Sequence, residues 1–301
     1  MGLLIPLLVL ALTGACARAD IVPVAVWTGE GESKLLAPMD LSVGLGGKVY
    51  VADSGNHRVV VFDTSGAVIS RIGFAGSAPG RFVEPTDVSA AEGLHLYVLD
   101  EGNERIQVFD RFEQGGEVVL SREAGTVGIP AGIASDPFGA LYVADTEEDR
   151  VRVYRSFTGE EEFSIGGYGR EPGRFIGPAD VAVDRARRIY VTDRENGRVQ
   201  VFDSLGGYLR SFGDGKGPGR LSFPTGIAVD MRGRVYVADT GNDRVVLFGE
   251  DGTFLDEVLQ GPGGLPLAAP RGVALGDDGT FYVSDSGNHR ICVYLFRSGA
   301  P

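Results

Sequence analysis

Three carboxylates stand at matching points of the chain. Asp40, Asp87 and Asp180 each follow a proline by two residues, after Pro38, Pro85 and Pro178. Carboxylate oxygens brought together would hold calcium or the cationic end of a substrate, since hard cations take oxygen ligands. The bland alternative is that each aspartate bonds nearby backbone; the same offset after Pro130, Pro224 and Pro270 carries Gly132, Gly226 and Gly272. One residue after the six prolines come Met39, Thr86, Ala131, Ala179, Thr225 and Arg271. Arg271 is the one cation of that set and a natural counter-charge to the aspartates. Histidine offers stronger metal chemistry: His57 and His289 share an offset, whereas His95 has no partner at matching spacing.

What must position these side chains is a repeat. Six times a Tyr precedes an Asp by three residues and an Arg follows that Asp by five. The sets are Tyr50, Asp53 and Arg58; Tyr97, Asp100 and Arg105; Tyr142, Asp145 and Arg150; Tyr190, Asp193 and Arg198; Tyr236, Asp239 and Arg244; Tyr282, Asp285 and Arg290. An aromatic follows nine after each Asp, and a proline precedes each by fifteen. The aspartates are spaced 47, 45, 48, 46 and 46 residues apart, a period that marks an array or propeller. Each unit reads as four short strands, in the fifth unit near 227–230, 235–239, 244–248 and 253–255. Nearly continuous apolar strands fit sheets buried on both faces, as when a blade packs between two neighbours. The Gly/Asn-rich turn after Asp239 suits a tight hairpin needing positive φ. Recurrence in every unit makes the Asp–Arg pair a structural ion pair that fixes the hairpin and holds neighbouring blades, since a specific site would break the symmetry.

Ser54-Gly55-Asn56-His57-Arg58 and Ser286-Gly287-Asn288-His289-Arg290 resemble the NHL repeat, as do the proline-led strands Pro178–Asp184 and Pro224–Asp230. The resemblance runs from about residue 22 to the C-terminus. It implies an all-β, six-bladed β-propeller, a fold that hosts many unrelated functions. In such a ring, equivalent points on adjacent blades lie one radius apart. With strands about 4.8 Å apart, the histidine-bearing turns lie roughly 12–15 Å from the axis. His57 and His289 therefore cannot share a zinc ion whose ligands sit at about 2 Å, and no metal is expected there. The innermost strands lie roughly 6–8 Å from the axis, which brings Asp40 and Asp87 within about 7 Å. The peptide-amidating lyases resemble this fold and bind zinc through histidines directly after the strand-one prolines. Those positions here hold no histidine, so that chemistry does not carry over.

The N-terminus adds an export leader. Residues 1–15 are apolar, too short a run to span a bilayer comfortably, and small residues follow. Leu12-Thr13-Gly14-Ala15-Cys16 resembles a bacterial lipobox, making Cys16 the lipidation candidate and ending the leader at residue 15. Ala17-Arg18-Ala19 alternatively fits soluble export with a leader of residues 1–19. Residues 20–301 then form one domain. Its last unit runs out of chain after a third strand at Tyr294, and the segment Val22–Trp27 has the pattern of a fourth strand without a blade. That segment is expected to complete the sixth blade and close the ring, removing open edges. The other cysteine, Cys292, reads as a small buried hydrophobe.

The mature chain carries 27 basic against 41 acidic residues once Arg18 is removed with the leader, a formal charge of −14. Some NHL-repeat proteins bind RNA through a basic face; this balance repels phosphate backbones and excludes nucleic acid as a partner. No phosphate loop, paired-cysteine cluster or nucleophile elbow is visible. The Pro-Gly-Arg turns at 79–81, 172–174 and 218–220 read as connections between blades, with a charged rim as the alternative. The expectation is a monomeric, extracytoplasmic propeller in the periplasm or at the cell surface, membrane-bound only through a lipid anchor. It is read as a non-catalytic binding or scaffold module for a protein or other extracytoplasmic ligand. The alternative is an enzyme with a calcium-type hydrolase or lyase site in the channel. Asp40, Asp87, Asp180 and Arg271 are the ligand-binding candidates; no catalytic residue and no cofactor is assigned, calcium being the alternative.

Overall fold

Alternation of short apolar runs with Gly-rich turns leaves each repeat one solution, a four-stranded antiparallel meander. The computed structural model describes residues 20–90, 95–110, 112–155 and 159–297. It shows six such sheets. The leader and Cys16 lie outside the described residues.

The fifth blade has strands Ile227–Val229, Val235–Asp239, Arg244–Phe248 and Phe254–Val258. Its two middle strands are buried at almost every residue. The innermost strands pack against one another around the ring, and that of the sixth blade, Pro270–Leu275, meets that of the first, Pro38–Val43. The hydrophobic core is accordingly divided into layers between adjacent blades. The layer between the sixth and first holds Trp27, Val51, Val60, Phe62, Tyr282 and Val293.

Closure is as expected. Asp20–Trp27 pairs antiparallel with Arg290–Arg297 and supplies the outer strand of the sixth blade. Trp27 then reaches into the neighbouring layer, stacking on Phe62 at 5.4 Å between centroids and lying 5.2 Å from Tyr282. Cys292 is buried in the same blade, and burial pushes its thiol up to about 12.

The hairpin turn differs from expectation in one respect. Positive φ falls on the fourth residue after the Asp, as at His57, Glu104, Asp149, Asp243 and His289, which are not glycine. In the fourth blade that position is Gly197, whereas the glycine two after the Asp serves close approach: a Cβ on Gly241 would lie 2.6 Å from the Ser222 carbonyl oxygen, to which the Gly241 amide donates.

Five of the six repeated pairs form as read, with Arg Nε 2.6–2.8 Å from the Asp carboxylate. The other carboxylate oxygen accepts an amide seventeen residues earlier, in the segment entering the blade, as Ser222 does to Asp239. The guanidinium donates to carbonyls of that segment, as Arg244 does to Arg220. The third blade departs. Asp145 pairs with Arg152 at 3.0 Å, and Arg150 turns to Glu148. In the other blades an asparagine three after the Asp donates to it, as Asn242 does to Asp239. Here that position is Glu148, whose ionised carboxylate has no hydrogen to donate, and Arg152, on the same strand as Arg150, supplies the donor to Asp145.

Candidate site at the channel mouth

The site begins with the six prolines. In five of the six blades the inner strand pairs at its proline with the repeated Asp, for example Pro85 with Asp100 and Pro178 with Asp193, whereas in the fifth the strand begins at Ile227. The register then shifts before the next pairs, and such a bulge re-aims side chains. The irregularity sends Asp40, Asp87 and Asp180 toward the ring axis. One carboxylate oxygen from each lies within 4.8 Å of the others. The expected approach of Asp40 to Asp87 is thus met, and Asp180 joins them from the far side of the ring.

Each aspartate also does the local work that the bland reading assigned to it. Asp87 accepts the amides of Val88 and of Ile133 in the next blade, both at 2.6 Å. Asp180 accepts those of Val181 at 2.7 Å and Ile227 at 2.9 Å. In both cases the next blade carries glycine beside the donated amide. Among the described residues Asp40 accepts only its neighbour Leu41, at 2.7 Å, because the next blade presents Asp87 there and Asp87 itself takes the Val88 amide. Gly272 makes room for Asp40: a Cβ would lie 2.1 Å from its carboxylate. Thr192 bridges blades behind Asp180, accepting its amide at 2.9 Å and donating to the Thr225 carbonyl at 2.7 Å.

Burial dominates the electrostatics. It pushes Asp87 up to about 7, against the opposing pull of its two amide donors. Burial, reinforced by repulsion from Asp87, raises Asp180, and the same effects with Asp180 added raise Asp40. Arg271 is not the expected counter-charge: no ion pair joins it to an aspartate among the described residues. Burial and repulsion from Arg194 lower its pKa, and Glu101 partly offsets this.

A cavity of about 190 Å³ opens above the carboxylates, lined by Asp40, Thr86, Asp180, Arg271, Glu101 and Arg194 among others. Glu101 and Arg194 were missed by sequence reasoning, although the signal was present. Both directly follow a repeated Asp, where other blades have Ser54, Thr146, Thr240 and Ser286. Thr240 and Ser286 spend their hydroxyls on the carbonyls of Pro270 and Pro38; the charged residues project into the mouth instead.

The other candidates are architectural. His57 and His289 each use Nδ1 to accept an amide from the following blade. His95 packs near Tyr97, with ring centroids 6.4 Å apart. Of the Pro-Gly-Arg turns, Gly80 and Gly173 donate to Gln107 and Gln200, while Arg81 covers Phe74 and Arg174 bonds the Gly166 carbonyl. In a larger surface groove near Arg220, Asn242 and Glu257, the Glu257 carboxylate is paired with Arg244, which also holds Asp239.

Family models for the NHL repeat match residues 175–202, 221–248 and 267–294, and a six-bladed β-propeller model matches residues 35–116. The chain is an NHL-repeat six-bladed β-propeller. A search of curated proteins found no match to this NHL propeller. Solved structures of similar fold include a protein of unknown function from Bacteroides thetaiotaomicron, with TM-score 0.66, 14% identity and coverage of 92% of this chain and 72% of that one. Virginiamycin B lyase from Staphylococcus aureus has TM-score 0.60 and 13% identity over 87% of this chain and 85% of that one. A nidogen/laminin complex contributes a chain with TM-score 0.58 and 16% identity over 73% of this chain and 79% of that one. At such identities the likeness is one of fold.

Proposed function

We propose that this NHL propeller is a monomeric, extracytoplasmic, non-catalytic binding module that receives its ligand at the channel mouth. The observation that carries the reading is the break in sixfold symmetry there: Arg194, Arg271 and Glu101 ring a cavity whose floor is acidic. Elsewhere the repeated charges are consumed in holding blades together. At about 190 Å³ the cavity is below the ~300–1,000 Å³ of pockets that enclose drug-sized ligands. It suits one protruding side chain or small charged group of a partner resting on the rim. Among the described residues its lining includes no histidine, cysteine, lysine or tyrosine, and Thr225 already spends its hydroxyl on the Arg271 carbonyl, which favours binding over nucleophilic catalysis. The second reading, a metal-dependent lyase or hydrolase, draws on the carboxylate trio. Fold does not arbitrate, since propellers like this one occur both in a lyase and in a protein–protein complex.

Export rests on the apolar leader and the small residues after it. Cys16→Ala should move a lipoprotein from the membrane to the soluble fraction; wild type already soluble with Asp20 at its N-terminus would favour the A-x-A site. For binding, envelope extract is passed over immobilised mature protein and over Arg194→Glu/Arg271→Glu, matched in melting temperature. A partner held by wild type and lost from the variant supports the reading. Equal capture by both removes the mouth as the site, and chemical conversion of a captured small molecule selects the enzyme.

A further inference from the structure

We propose that Asp40, Asp87 and Asp180 hold one divalent cation of the calcium type on the channel axis, beneath the Arg194–Arg271 rim. Three carboxylate oxygens no more than 4.8 Å apart can share an ion. Calcium takes oxygen ligands at about 2.3–2.6 Å, so oxygens on opposite sides of it lie roughly 4.6–5.2 Å apart. Three oxygens at that mutual limit lie roughly 2.8 Å from their centre, so a shift of a few tenths of an ångström brings them to calcium distance. Magnesium is the poorer fit, because it holds its waters and usually takes only one or two carboxylates. The amide bonds to Asp87 and Asp180 do not compete, since each carboxylate oxygen has a second lone pair.

A second observation points the same way. Thr86, next to Asp87, is 9% exposed and lines the same cavity. Among the described residues its hydroxyl has no hydrogen-bond partner, an arrangement that is costly unless something else occupies its lone pairs. Asp40 likewise has one oxygen without a protein donor among the described residues. An ion on the axis would use the open Asp40 oxygen, and a water bound to it would offer the Thr86 hydroxyl a partner. It would also relieve three like charges that no Arg or Lys pairs with among the described residues. The consequence for function, which rests on the mouth being the binding site, is that the ion leaves a coordination position facing Arg194 and Arg271. The group bound there would be an anion, a carboxylate or phosphate of the partner.

The test uses mature protein stripped with EDTA at pH 7.5 and titrated with calcium chloride by calorimetry and thermal melting. Saturable one-to-one binding and a raised melting temperature are expected, with tenfold magnesium failing to compete. Asp87→Asn/Asp180→Asn should lose ~100-fold or more in calcium affinity, since even outer-shell partners are worth about 10–100-fold. Should that variant fail to fold, Thr86→Val leaves every carboxylate in place and should weaken calcium several-fold. No saturable binding, or equal affinity in wild type and variants, overturns the proposal and leaves adventitious surface acids only. Calcium binding without any captured partner upholds the ion and fails the ligand reading. Capture by the stripped protein, with no calcium bound by wild type, does the reverse.

Discussion

The imidazole Nδ1 of His289 accepts the backbone amide of Ala37 at 3.0 Å, joining the sixth blade to the first across 252 residues of chain. His57 makes the same bond to Glu84. Asp149 and Asp243 make it to Gly177 and Ala269 with a carboxylate oxygen. Each amide belongs to the residue just before the next blade's proline, and all four of those residues have positive φ. A side-chain acceptor thus holds a backbone turn that is unfavourable by itself.

His289→Ala should therefore destabilise the ring by about 0.5–1.5 kcal/mol, the usual net value of one hydrogen bond. His289→Asp should recover most of that loss, because Asp243 does the same work in the fifth blade. Chemical denaturation of both variants checks this. Equal loss in both would mean that imidazole packing, not its acceptor, matters at the seam.

Blade three should tolerate what blade four cannot. Arg198 is 7% exposed and bound to a fully buried Asp193; Arg198→Ala removes that charge's only ion-pair partner among the described residues and leaves it the neutral donors Ile176, Asn196 and Gln200, at up to about 3–5 kcal/mol. Arg150 is 37% exposed and faces Glu148, itself 41% exposed, so Arg150→Ala should cost only about 0–1 kcal/mol. Arg152→Ala should behave like Arg198→Ala, since Arg152 has taken over Asp145. Urea midpoints rank the three. A large loss at Arg150 would contradict the exchange of partners.

The carboxylate trio should make the metal-free protein less stable as pH rises. Asp87 moves from an ordinary value of 3.8 to about 7 in the fold. Between those values the native state holds a proton that the unfolded chain releases, so this group's contribution declines from about pH 4 to pH 7. Asp40 and Asp180 are raised too and act in the same direction. Asp87→Asn, uncharged at all pH, should gain on wild type by a few kcal/mol across that window, at roughly 1.4 kcal/mol for each pH step of one. Denaturation in EDTA at several pH values measures the gap. A gap independent of pH would mean that Asp87 keeps its charge in the fold.

The blade count, the strand order and the closing strand could be read from the chain alone, because each is a local regularity. A proline, a tyrosine, an aspartate and an arginine at fixed offsets define one hairpin and its entry. An orphan strand at Val22–Trp27 opposite a missing one after Tyr294 leaves a single way to close. Even the exception in blade three left a trace, with Glu148 where the others have asparagine and Arg152 where they have Val60, Gln107, Gln200, Val246 or Cys292. What the tertiary structure decided concerns residues far apart in the chain. Asp180 meets Asp40 and Asp87 only because the inner strands circle one narrow axis and bulge toward it after each proline. Arg271 forms no ion pair with them among the described residues, and the charges that act on it, Arg194 and Glu101, come from other blades. Offsets along a strand determine which residues are equivalent; the radius of the ring and the packing of neighbouring blades determine which of them touch.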